Sequence, residues 1–154
     1  MISGALLAQP APPRIELPSA AASQPPRVDG VLDDACWTTA TRVSDFYLQT
    51  EEVSNEKTEV FLSYDQRSIY VAFYCHDANP ETIRHEQRRR RGTMGSDDRV
   101  ELNLDTFNSL QSDKCSKFTV SAGGCQSEKM PTGSVSKTEW RGDWYAATKM
   151  VDDG

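Results

Sequence analysis

The chain is poor in the residues that most metal and nucleophile chemistry requires. It has two histidines, His76 and His85, and four cysteines, Cys36, Cys75, Cys115 and Cys125, with no Cys-x-x-Cys pair. That spacing argues against a zinc knuckle. No Gly-rich phosphate loop and no Gly-x-Ser-x-Gly elbow occurs, so nucleotide binding of the P-loop kind and serine-hydrolase chemistry have no sequence support. No apolar run approaches the roughly 20 residues of a membrane-spanning helix, and no internal repeat is present. Positive charge is in deficit: 17 Lys and Arg against 23 Asp and Glu give a net charge of −6 over 154 residues. An acidic balance argues against nucleic acid as the main partner and suits neutral sugars or cations.

What is present divides at about residue 26. Residues 1–25 are rich in Ala, Pro and Ser, with Pro10, Pro12, Pro13, Pro18 and Pro25, followed directly by Pro26, spaced so that no helix survives. Ala5 to Ala11 reads as the tail of a secretory signal without its charged start, or as a disordered leader. Beyond it, Asp29-Gly30 marks a turn, and Leu32 to Ala40 predicts one or two helical turns that carry Leu32 and Trp37 into the core.

The remainder reads as strands. Thr58 to Tyr64 places Val60, Leu62 and Tyr64 on one face; Asp65 to Ser68 is a polar turn; Ile69 to Cys75 follows with both faces apolar. The pattern predicts a hairpin whose second strand is central in its sheet. Asn79-Pro80-Glu81 begins a short helix. Val100, Leu102 and Leu104 alternate with Glu101, Asn103 and Asp105, a half-buried strand, and Lys117 to Ser121 is another with Phe118 and Val120 inward. Gly123-Gly124 turns the chain. Residues 126–139 lack a period and predict a long loop, and Trp144 to Met150 predicts a last strand. Strands joined by turn signals predict an all-β protein, an antiparallel β-sandwich.

Four segments in order carry a family likeness: Val28-Asp-Gly-Val-Leu-Asp-Asp-Ala-Cys-Trp37, Thr58-Glu-Val-Phe-Leu-Ser-Tyr-Asp65, Ile69-Tyr-Val-Ala-Phe73 and Asp97-Asp-Arg-Val-Glu-Leu-Asn-Leu-Asp105. Together they resemble the carbohydrate-binding family 9-like fold over about residues 26–154. The resemblance implies a jelly-roll-like sandwich that is a non-catalytic sugar-binding module of an exported bacterial protein, in the periplasm or at the outer membrane. It also implies a parent polypeptide with a membrane-associated C-terminal domain as a further partner. Family members continue past the Asp-Gly turn, so an end at Asp152-Asp153-Gly154 implies missing C-terminal strands. The family's clamp tryptophan has no counterpart at Gly95-Ser96, which leaves docking on that C-terminal region, without sugar, as the alternative function.

Asp98, Arg99, Glu101, Asn103 and Trp140 are the candidate ligand-binding residues. Their carboxylates, amide and guanidinium match sugar hydroxyls, and an indole in a polar loop offers a platform. Asp97, Asp98 and Asp105 are candidate calcium ligands, because that ion takes about 6–8 oxygens; no other cofactor is expected. Glycosidase action would need two carboxyls facing across a cleft, which neighbours on one strand face do not offer. Cys115 and Cys125 would be bridged if they met across neighbouring strands in an oxidising compartment; the alternative is free thiols. Arg88 to Arg91 is the one cationic run, read as a loop paired with the domain's own acids.

Overall fold

A computed structural model describes residues 24–44, 46, 56–132, 135–137 and 142–154. Residues 1–23 of the expected leader therefore lie outside the described residues, as does Trp140. The protein is all-β. Its first sheet has the order β1–β2–β3, with β1 at Thr41–Val43, β2 at Thr58–Tyr64 and β3 at Ile69–Cys75. Its second has the order β4–β5–β6–β7, with β4 at Arg99–Leu104, β5 at Ser116–Ser121, β6 at Gln126–Thr132 and β7 at Val135–Lys137. Every pairing is antiparallel. One α-helical turn, α1 (Ala35–Thr38), precedes β1.

The predicted β2–β3 hairpin is present in full register, Thr58 opposite Cys75 and Tyr64 opposite Ile69. Asp65 makes the turn: its Oδ1 accepts from the backbone N–H of Arg67 at 2.7 Å and of Ser68 at 2.8 Å, and its Oδ2 from the Tyr70 hydroxyl at 2.7 Å. A carboxylate that takes three donors organises a polar loop without burying it. The expected central position of β3 is corrected, since β2 is the middle strand. The turn at 32–40 also differs from expectation. Cys36 is its buried residue, while Leu32 and Trp37 are half-buried.

Two further corrections concern the C-terminal third. Residues 126–132 and 135–137 form β6 and β7 where a long loop was expected. The inward position that hid this strand is Glu128, buried opposite Phe118; a carboxylate in an apolar slot erases the period-2 signal. Conversely, Trp144 to Met150 forms no strand and joins neither sheet. It is a strap. The Gln126 side chain donates to the Ala146 carbonyl at 2.8 Å near its start, and the Asp77 N–H donates to the Asp153 carbonyl at 2.9 Å near its end, so it ties β6 to the end of β3. Gly30, at φ +82°, lies beneath it, where a Cβ would stand 2.9 Å from the backbone of Thr148 and Lys149. Only glycine meets both requirements.

All four cysteines are free. Cys125 sits opposite Ser121 at the turn end of the β5–β6 hairpin, and Cys115 precedes β5 at the other end. Six strand residues separate the two levels, about 20 Å, whereas a disulfide needs Cα atoms within about 7 Å. The Cys115–Cys125 bridge is thus excluded by register. Cys125 is instead fully buried, its thiol 3.0 Å from the Arg89 carbonyl.

Candidate functional site

The two faces of the β4–β5–β6 sheet have opposite chemistry, and the register assigns each residue. On the inner face Val100 pairs with Val120, and Leu102 with Phe118, which in turn pairs with Glu128. On the outer face Glu101 pairs with Thr119 and then Ser127, and Asn103 pairs with Lys117 and then Lys129. The strict alternation of β4, with Arg99, Glu101 and Asn103 exposed, makes this separation clean.

The outer face is organised. Glu101 Oε1 accepts from the Asn103 amide at 3.0 Å and from the Lys117 ammonium at 3.0 Å. Those two bonds, the Asn103 amide first, hold the Glu101 carboxyl below its ordinary value. Both partners keep donors in reserve: an amide carries two and an ammonium three. Arg99, Glu101 and Asn103 thus project together with the Lys117 and Thr119 side chains of the neighbouring strand. Lys117 and Thr119 were not among the sequence candidates. Only the antiparallel register, which the sequence does not print, sets them beside β4.

The other expected ligands are placed elsewhere. Asp97 is buried, with Oδ2 accepting from the Gln87 N–H at 2.8 Å. Asp98 Oδ2 accepts from the Arg84 N–H at 2.8 Å, while its own N–H donates to the Arg84 carbonyl at 3.0 Å. Both aspartates fasten segment 84–87 to the start of β4. Asp105 stands at the far end of β4, seven residues from Asp98 and about 23 Å along an extended strand. Its oxygens accept from the Leu110 N–H at 2.7 Å, the Ser109 hydroxyl at 3.1 Å and the Phe107 N–H at 3.3 Å. The expected calcium set of Asp97, Asp98 and Asp105 is therefore not brought together. Among the described residues no group of three or more His, Cys, Asp or Glu side chains is placed to hold a metal ion.

The arginine run serves the inner face. Arg91 Nη2 lies 2.5 Å and Arg90 Nη2 3.6 Å from Oε1 of Glu128, whose side chain is 0% exposed. Trp144 Nε1 donates to the other oxygen at 3.3 Å, and the indole meets Phe118 edge-on at a centroid distance of 5.3 Å. The Arg90 guanidinium lies 5.9 Å from the Trp144 ring centroid. A buried carboxylate needs this much compensation, and it consumes two of the four arginines. The histidines are apart in role. His76 stands between Glu59 (3.1 Å) and Asp153 (3.4 Å), and the Tyr74 hydroxyl donates to Asp153 at 2.7 Å. His85 turns its Nδ1 to the Ile83 carbonyl at 2.8 Å.

No family model, no curated protein and no solved structure matches this chain. Among the described residues no helix is long and apolar enough to cross a membrane.

Proposed function

We propose that this protein is a non-catalytic carbohydrate-binding module whose site is the outer face of β4 and β5, in a sandwich formed by the two sheets. The carrying observation is the outer-face unit of Glu101, Asn103 and Lys117, joined by two 3.0 Å hydrogen bonds, with exposed Arg99 on the same face of the sheet. Sugar hydroxyls act as donor and acceptor at once, and a carboxylate flanked by an amide and two cations offers both complements. Placement on a strand rather than a loop lowers the ordering cost of weak polar recognition. The role fits an exported polypeptide in which the module holds a glycan near other domains and raises its local concentration. Resemblance to the carbohydrate-binding family 9-like fold supports the same reading.

The test is a glycan array of neutral and acidic oligosaccharides, run with and without EDTA. Neutral glycans are expected to bind irrespective of chelator, and Glu101→Ala with Asn103→Ala is expected to abolish the signal while the fold persists. A folded protein that ignores every glycan would turn the assignment to the alternative, a domain that docks on another part of its polypeptide.

A further inference from the structure

The loop between β4 and β5 has features that its role as a connection does not require. Phe107 is 85% exposed and Leu110 81% exposed. Two large bare apolar side chains three residues apart on one short loop are more than the scattered exposure normal on a surface. Neither is displayed by slack chain, because Asp105 collects three donors from the loop. The Ser109 and Leu110 N–H groups are foremost in holding the Asp105 carboxyl below the usual carboxylate range. The backbone is bent into the left-handed region at two non-glycine residues, Asn108 at φ 51° and Leu110 at φ 55°. Such conformations cost on the order of 1 kcal/mol each and gather at functional sites.

The chemistry of the loop narrows what it could hold. From Thr106 to Gln111 no side chain is charged, and the Asp105 carboxylate is occupied. Within that stretch a phosphate, an acidic polysaccharide or a cation would find no counter-charge; the charged residues of the loop, Asp113 and Lys114, stand in the 3-10 turn that leads into β5. What is offered is an exposed aromatic ring, followed in sequence by Asn108, an exposed residue whose carboxamide has no hydrogen-bond partner among the described residues, and the exposed Gln111. A ring-shaped ligand with one C–H face and a polar rim matches that combination. The loop also continues the outer-face row, since Asn103 and Lys117 are the outer-face pair nearest to it.

We infer that Phe107 is the stacking platform of a neutral-sugar subsite, with Asn108 bonding the hydroxyls of the same pyranose ring. This rests on the proposed carbohydrate function and names its apolar half, the part that an indole supplies in other sugar sites. The fixed loop geometry presents the ring already oriented, so little ordering accompanies binding.

The experiment is calorimetric titration of the protein with neutral oligosaccharides (cellohexaose, xylohexaose and mannohexaose), and with oligogalacturonate as the charged comparison. Wild type, Phe107→Ala, Phe107→Trp and Glu101→Ala are measured side by side. At 85% exposure the Phe107 variants should fold, which circular dichroism verifies. The expected result is neutral-sugar binding that weakens roughly tenfold in Phe107→Ala and is retained or tightened in Phe107→Trp. Binding that Glu101→Ala abolishes but Phe107→Ala leaves intact would overturn the platform and keep the carbohydrate function. Absence of any oligosaccharide binding by wild type would overturn both.

Discussion

Glu101 and Glu128 belong to one sheet and differ in face. Glu128 points inward, where two arginines and an indole N–H surround it and no water reaches it. Glu101 points outward, where an amide and one lysine steady it but leave it 40% exposed. The first is a structural carboxylate whose partners are used up; the second retains capacity for a ligand. Residue type therefore says little about role here, and strand register says nearly everything. The arginine run follows the same rule. Sequence alone offers it as a cationic patch, but two of its members are committed to Glu128.

The contrast can be broken at its inner half first. Glu128→Ala would strip the acceptor from Arg90, Arg91 and Trp144 together, and it should destabilise the fold by about 2–3 kcal/mol. Chemical denaturation followed by tryptophan fluorescence would read this directly. A loss under about 0.5 kcal/mol would show that the partly exposed guanidinium groups are solvated without their partner. The outer half predicts the opposite: Glu101→Ala should change stability by about 0.5 kcal/mol or less, as expected for an exposed pair, while abolishing glycan binding.

Next in size is backbone fit. Gly123 lies against segment 84–87, where a Cβ would stand 2.6 Å from the His85 carbonyl oxygen and 2.7 Å from that of Gln87. Gly123→Ala should cost about 1–3 kcal/mol, seen as a lowered denaturation midpoint, because those oxygens are main chain and cannot step aside alone. Smaller is the strain in the exposed loop. Leu110→Gly should relieve the left-handed conformation, partly offset by glycine entropy, for a net gain of up to about 1 kcal/mol. An unchanged midpoint would mean that the conformation stores no strain.

Acid sharpens the comparison most gently. Asp65, Glu101, Asp105 and Asp153 are each held below their ordinary values, by backbone and side-chain donors that favour the charged form. A depressed folded-state value adds stability that is present above the unfolded range near pH 4 and lost as pH falls through the lower folded value. The turn at Asp65, the loop at Asp105 and the strap end at Asp153 should therefore loosen below about pH 4. Amide exchange across the acid range would show whether these segments open before the sheet interiors, and Asp105→Asn should remove the effect at residues 106–110.

Much of the sheet structure is legible in the sequence, because period-2 alternation is unbroken in β4 and the β-rich apolar runs of β2 and β3 flank a four-residue polar turn. The β6–β7 pair is hidden by Glu128, since a buried charge looks like a loop residue until its partners are known. The strap at 144–150 misleads in the other direction. It alternates because Trp144 and Ala146 pack inward, yet packing alternation arises without a hydrogen-bonded ladder. Of the expected ligands, Arg99, Glu101 and Asn103 share an exposed face, whereas Asp97 and Asp98 are taken by backbone N–H groups of segment 84–87. No pattern in the sequence distinguishes a carboxylate that caps a distant backbone from one that awaits a ligand.

The most direct test of the account is a two-dimensional amide NMR titration of the protein with the neutral oligosaccharides. Shifts should concentrate at residues 99–110 and at Lys117 and Thr119, sparing Glu128 and the strap. Shifts confined to the inner face or to segment 81–88, or none at saturating sugar, would contradict a glycan site on the outer face of β4 and β5.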